Sequence, residues 1–284
     1  MTLHTLYRHI IHQLSDILGM DEAKATAYLL LEYFTSHDKI FICLNPNIEI
    51  ANSTVEKINK AVQELQNHKP IQYVLGQTFF CDLPFFVDES VLIPRPETEE
   101  LVQWIIENSS PSSTIIDICT GSGCIAIALA NYLKVRQVYA IDVSNEALKV
   151  AQKNAENNDT NIHFVQKDVL SSVFCDSIGF QFDIIVSNPP YVRKTEKQYM
   201  HERVLKHEPS LALFVEDNNP LIFYKKILQF GRSHLVENGQ LYFEINEAFG
   251  EEIVRLFLEY GYKDVVLRKD IHDKNRMICG KINK

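Results

Sequence analysis

The sequence predicts an α/β protein with a helical front and, behind it, a mostly parallel sheet covered by helices on both faces. Three observations lead there. Over residues 1 to about 70 the apolar residues recur at helical spacing, so the stretch reads as all helix. Beyond residue 94 short apolar runs alternate with helical stretches, the pattern of strand–helix–strand units that pair in parallel. The length, 284 residues, exceeds the usual single domain, so one large domain plus a smaller one is expected. The division reads as a helical domain over 1–70, a β-hairpin linker over 71–93 and the sheet domain over 94–284.

In the helical front, Leu3, Leu6, Ile10, Leu14 and Ile17 mark one face of a first helix that stops near Gly19. Asp21 is placed to cap a second helix with a buried stripe of Ala25, Tyr28, Leu29 and Phe34. Ser53 and Glu56 fit a capping box opening a third helix, with Val55, Ile58, Val62 and Leu65 on one face. His9 and His12 lie three apart but bring no Cys or carboxylate, so a solvated face is expected there rather than a metal site. Tyr73–Leu75, Thr78–Phe80 and Phe85–Val87 read as short β pieces broken by Gly76 and Pro84. The sheet is expected to hold seven strands: 115–118, 138–143, 163–167, 182–187, 240–245, 264–267 and 277–282. Only a short gap separates the last two, which suggests an antiparallel hairpin at the sheet edge.

Lys and Arg number 28 against 37 Asp and Glu, a net charge of −9. That balance argues against broad phosphate-driven binding to nucleic acid and suits a protein or small-molecule partner. No run approaches a membrane span, and Met1–His12 does not read as a signal peptide. Six scattered cysteines without a CxxC pair read as free thiols of a reducing, cytoplasmic compartment. A monomer without a metal is expected.

The predicted strand 115–118 runs into Cys119-Thr120-Gly121-Ser122-Gly123 and then a helical run from Cys124. Glycines in such a turn let the backbone approach a ligand closely. The turn is neither the dinucleotide fingerprint nor a phosphate loop, because Ala stands at 126 and no Gly-Lys-Ser/Thr follows. Asp117, just before it, would repel a diphosphate but suits the ammonium of a methionine moiety. Asp142 ends the next strand, placed to accept from two ribose hydroxyls; capping the following helix is the competing reading, a role Ser144 also fits. Asp168 ends the third, where it can accept from an adenine amino group while Val169 packs on the ring. Three strands each ending in an acid point to an adenosine-containing ligand.

The fourth strand ends in Asn188-Pro189-Pro190-Tyr191. The prolines stiffen this turn and leave the Pro189 carbonyl without a proline N–H nearby to occupy it. The Asn188 side-chain oxygen and that carbonyl can accept both hydrogens of one NH₂ group, and Tyr191 can wall a planar substrate. An amide or aryl amine nitrogen delocalises its lone pair; two acceptors drawing its hydrogens out of plane favour the pyramidal nitrogen of an in-line methyl transfer. These residues therefore imply an S-adenosylmethionine-dependent methyltransferase that releases S-adenosylhomocysteine. On their own they leave open N6-adenine methylation of DNA or RNA.

The combination resembles the HemK/PrmC family, the peptide-chain release factor glutamine methyltransferases. The resemblance spans nearly the whole chain and is most specific in Pro70–Gly76 and in Val91–Glu99, which contains Arg95-Pro96-Glu97-Thr98-Glu99. It implies a seven-stranded, Rossmann-like methyltransferase domain and methylation at N5 of the glutamine in the Gly-Gly-Gln motif of class I release factors, in translation termination. It further implies that the helical domain helps hold the release factor, that residues 119–123, Asp142 and Val169 contact S-adenosylmethionine, and that Asn188, Pro189, Pro190 and Tyr191 hold the glutamine. Glutamine methylation of another protein remains an alternative. Arg95, with Phe85 and Ile93, is a candidate for the glutamine pocket by proximity to the hinge; a salt-bridged helix start is the other reading of Arg95, Glu97 and Glu99. Lys194–Lys206 reads as a lid. The chain departs from the family at Val215–Asn219, where a glycine pair is usual, and at Asn246, where glycine is frequent.

Overall fold

The computed structural model describes residues 1–109, 112–133, 135–175 and 178–283. They form two compact units, 1–76 with 201–207, and 77–200 with 208–284.

The first unit is helical: α1 (Leu3–Leu18), α2 (Met20–Thr35), α3 (Lys39–Leu44), α4 (Asn52–Gln66) and α5 (Ile71–Leu75). Thr2 caps α1 by accepting from the Thr5 N–H, and Gly19, at φ +80, ends α1 and begins α2 without a break. The core joins Leu3, Leu6, Ile10 and Leu14 to Ala23, Ala27, Leu30 and Leu31 and to Val55, Ile58, Val62 and Leu65. Ile17 is exposed. The stripe expected on α2 is rotated: Ala25 and Leu29 face solvent, while Ala23, Thr26, Ala27, Leu30 and Leu31 are buried. This helix is apolar on two faces, so its periodicity alone does not choose between them. Asp21 lies within its first turn rather than at its cap. The capping box at Ser53 does not form, because α4 starts two residues earlier, with Ala51 at the cap. Tyr73–Leu75, expected as β, is the helical turn α5; Pro70 precedes it and Gly76, in the left-handed region, ends it.

The second unit opens with the antiparallel hairpin β1 (Gln77–Phe80) and β2 (Leu83–Phe86), followed by α6 (Pro96–Asn108). Next come β3 (Thr114–Ile118), α7 (Cys124–Tyr132), β4 (Gln137–Asp142), α8 (Asn145–Asn157), β5 (His163–Gln166), β6 (Phe182–Ser187) and the short β7 (Val192–Arg193). A 3₁₀ turn over Lys194–Tyr199 leads to α9 (Glu202–His207), which groups with the helical unit, where Arg203 pairs with Glu22. The chain continues through α10 (Ser210–Leu213), β8 (Phe214–Val215), α11 (Ile222–His234), β9 (Leu235–Glu244), α12 (Gly250–Glu259), β10 (Tyr262–Lys269) and β11 (Asn275–Ile282).

All seven expected strands enter one sheet, in the order β10-β11-β9-β6-β3-β4-β5. β5, β4, β3, β6 and β9 pair in parallel, and β11 and β10 close the edge as an antiparallel hairpin. Successive residues on the strands serve opposite faces. Ile115, Ala140, Ile184 and Tyr242 pack against α6 and α7, whereas Ile116, Ile141, Ile185 and Phe243 pack against α11 and α12. The chain leaves β3 to build β4 on one side and later returns to place β6 on the other. The crevice at the carboxyl ends of β3 and β6 is thus the topological switch point, where ligands of open α/β sheets bind.

Candidate active site

The cleft at that switch point is lined by Cys119, Thr120, Gly121 and Ser122 after β3, by Asp142 and Ser144 after β4, by Asp168 and Val169 after β5, and by Asn188 and Pro190 after β6. Ser90, Val91, Leu92, Arg95 and Thr98 close it from the strap and helix that precede β3, and Leu211, Ala212 and Phe223 from the later loops.

The turn after β3 is held by its backbone. Thr120 N–H donates to the Ile141 carbonyl at 3.0 Å and Gly123 N–H to the Thr120 carbonyl at 2.9 Å. The two glycines have different tasks. Gly121, at φ +55, lines the cleft, and a Cβ there would meet no atom within 4 Å. It leaves open space where a ligand would lie. Gly123, at φ +81, lies outside the cleft; a Cβ there would stand 3.0 Å from Ala151 Cβ and 3.1 Å from Ile127 Cδ1. Its role is the close approach of α7 to α8. Cys119 also adopts a positive φ, +64, without being glycine, and burial pushes its thiol well above the usual range.

Asp117 does not reach the cleft. It is fully buried beneath the turn, where the Thr120 hydroxyl donates to Oδ2 at 2.6 Å. Burial raises its pKa to about 7, against the opposing pull of Thr120 and the Ala126 N–H. The acid expected to meet an ammonium instead organises the loop from below. Asp142, by contrast, faces the cleft, with Oδ2 accepting from Gly121 N–H and Oδ1 from Ser144 N–H, each at 2.9 Å. Burial raises its pKa and these backbone donors lower it. The following helix is capped by Ser144, which accepts from Ala147 N–H. Asp142 therefore keeps lone pairs free toward the cleft. Asp168 accepts from Leu170 N–H at 2.8 Å beside buried Val169.

At the end of β6, Asn188 and Pro190 line the cleft, and Pro189 and Tyr191 complete the same turn beside them. The Tyr191 hydroxyl donates to Glu244 Oε1 at 3.0 Å, Thr98 Oγ1 donates to Glu244 Oε2 at 2.5 Å, and Asn188 Nδ2 donates to Thr98 Oγ1 at 3.3 Å. Thr98 and Glu244, 146 residues apart in the chain, lie within runs that the sequence singled out, but only their partnership shows a role. Arg95 pairs with Glu208, and Glu99 accepts from the Cys81 N–H at 3.0 Å, so this run ties distant segments together instead of bridging within its own helix. Phe85 and Ile93 are core residues and take no part in the cleft. The departures also have places. Asn246, at φ −67, has no need of glycine; its side chain caps the next turn and donates to the Tyr191 carbonyl at 3.3 Å. Val215 pairs with Arg193 in the β7–β8 ladder, and Asp217 accepts from the Thr195 N–H at 3.1 Å, which ties the expected lid to this loop.

Residues 97–211 match the methyltransferase small domain, and residues 5–76 match the PrmC N-terminal domain. The release factor glutamine methyltransferase of Flavobacterium psychrophilum is 46% identical over 98% of this chain and 98% of its own. That of Bacteroides thetaiotaomicron is 42% identical over 97% and 99%. The chain belongs to the release factor glutamine methyltransferase family. The corresponding Bacillus subtilis enzyme is 35% identical over 91% of both chains. Among solved structures, a methyltransferase from Pyrococcus furiosus superposes with a TM-score of 0.55 at 17% identity, over 80% of this chain and 99% of its own, a likeness of fold. Among the described residues no helix is long and apolar enough to cross a membrane.

Proposed function

We propose that this chain, acting in the cytoplasm as a monomer, transfers a methyl group from S-adenosylmethionine to N5 of the glutamine in the Gly-Gly-Gln motif of class I peptide-chain release factors. One observation carries the reading: the Asn188 side chain stands at the switch-point cleft with its Nδ2 bound inward to Thr98, and its Oδ1 accepts no hydrogen bond among the described residues. The family supplies the substrate, and the net charge of −9 favours a protein over a nucleic acid.

The residues fit the cofactor. Gly121 leaves room for it, Asp142 offers carboxylate lone pairs to a ribose, Asp168 and Val169 offer an acceptor and an apolar wall to an adenine, and the bound sulfonium would supply an electrophilic methyl group. Asn188 Oδ1 and the Pro189 carbonyl accept the two amide hydrogens and draw them out of plane. The glutamine nitrogen then presents its lone pair to the methyl carbon. With the cofactor bound, the new N–C bond would replace its S–C bond, and one N–H proton would leave to water. Positioning of this kind is worth about 3 kcal/mol per well-placed polar group.

Incubation with labelled methyl donor and a release factor should label the wild-type factor and leave its Gly-Gly-Gln to Gly-Gly-Ala variant unlabelled. Equal labelling of both would remove the glutamine from the proposal. Asn188→Ala should abolish turnover while S-adenosylhomocysteine still binds; a parallel loss of binding would place Asn188 in the cofactor pocket instead.

A further inference from the structure

A primary amide can offer either its oxygen or its NH₂ on a given side, and only one of these suits Asn188. Presenting Oδ1 to the substrate accepts its hydrogens; presenting Nδ2 would set donor against donor. The choice is fixed by counting hydrogens behind the cleft. Burial raises the Glu244 pKa and hydrogen bonds from Thr98 and Tyr191 lower it; as a carboxylate it takes a hydroxyl hydrogen on each oxygen, from Thr98 on Oε2 at 2.5 Å and from Tyr191 on Oε1 at 3.0 Å. The single hydrogen of Thr98 is thereby committed, so its oxygen can only accept from Asn188. The group 3.3 Å away must be the NH₂, which places Oδ1 on the opposite edge of the amide.

We propose that Glu244 and Thr98 are positioning residues that set the polarity of the Asn188 side chain, holding its NH₂ inward and its Oδ1 outward as the acceptor for the substrate's NH₂ group. The inference deepens the proposed glutamine methylation and rests on it for its kinetic test. A flipped Asn188 would turn Oδ1 toward the Thr98 oxygen with no hydrogen between them. The same carboxylate holds Tyr191, so one buried group orients both ends of the tetrapeptide. The Thr98 hydroxyl thus has a chemical task in the Arg95–Glu99 run, and the task is separate from the start of the helix, which Pro96 already supplies.

Thr98→Val keeps the shape and removes the hydroxyl; Thr98→Ser keeps the hydroxyl and removes a methyl. The expected result is that Thr98→Val lowers kcat roughly tenfold to a hundredfold, with S-adenosylhomocysteine affinity unchanged and KM for the release factor moved little, while Thr98→Ser retains most of the wild-type kcat. Thr98→Ala takes the place of Thr98→Val if the latter does not fold. A wild-type kcat without the hydroxyl, or equal losses in Val and Ser, would overturn the proposal. Side-chain amide hydrogen exchange by NMR tests the same bond without turnover. Asn188 Nδ2 hydrogens protected in the wild type should exchange faster in Thr98→Val, and equal exchange would overturn the relay. If the wild type fails to methylate a release factor, the function falls and the exchange measurement still decides whether Thr98 holds the Asn188 NH₂.

Discussion

The backbone N–H of Gly121 donates to Oδ2 of Asp142 at 2.9 Å, so the glycine turn after β3 and the acid at the end of β4 act as one piece. The other oxygen of Asp142 holds Ser144 N–H. Asp142→Asn replaces one acceptor by a donor, which must then face one of these two N–H groups. A hydrogen bond to a charged group contributes about 1.5–3 kcal/mol, so affinity for S-adenosylhomocysteine should fall roughly 10-fold to 150-fold. Titration calorimetry measures this, and unchanged affinity would remove Asp142 from the ribose site.

The two glycines of the turn should separate binding from stability. Gly123→Ala forces a methyl group to within 3.0 Å of Ala151 Cβ at a positive φ, so the midpoint of thermal unfolding should drop, by the equivalent of about 1–3 kcal/mol. Gly121→Ala meets no protein atom, and only its φ of +55 opposes it. It should lose about 1 kcal/mol of stability and most of its cofactor affinity, because the methyl occupies cleft space. Equal stability losses in the two variants would contradict this division.

The sheet was legible because its strands are short apolar runs that alternate with helical stretches, and the strand-end acids and glycines sit at fixed offsets from those runs. Asp117 lies beneath the turn for a reason the local pattern does not carry. Its distance from the turn is right for a ligand, but whether a carboxyl at the penultimate strand position turns up into the cleft or down beneath the loop depends on Thr120 and on α7 packing above it. The α2 stripe failed because Ala and Leu occupy two faces. Thr98 and Glu244 stand 146 residues apart, and no local period links them. Segment 201–207 groups with the helical unit through Arg203 and Glu22, a pairing that mixed charge does not announce.

Arg95 and Glu208 should respond unequally to substitution. The Glu208 side chain is 1% exposed and that of Arg95 35%. Arg95→Ala leaves a carboxylate buried without its cation, which typically costs about 3–5 kcal/mol. Glu208→Gln leaves a guanidinium that still reaches water and a neutral amide that can accept from it. Chemical denaturation should therefore show Arg95→Ala as clearly the weaker fold. The opposite order would mean that the pair serves the cleft and not the stability of the segment entering α10.

Asp117 sets a pH dependence of stability with a definite sign. Its pKa is raised from 3.8 to about 7 by burial. Below about pH 4 the carboxyl is protonated in both states and imposes no penalty. Between about pH 4 and 7 the folded protein holds a proton that the unfolded chain releases, so stability falls as pH rises; above 7 both states are ionised and the penalty stays constant. Asp142 is raised too and contributes with the same sign, but it is present in both proteins compared. Asp117→Asn removes the titration and keeps the size of the side chain. The denaturation midpoint should therefore drop less between pH 5 and pH 8 in Asp117→Asn than in the wild type, whatever the absolute stability of the variant. Identical slopes would show that Asp117 is ionised throughout this range, and that the turn neutralises it better than its burial implies.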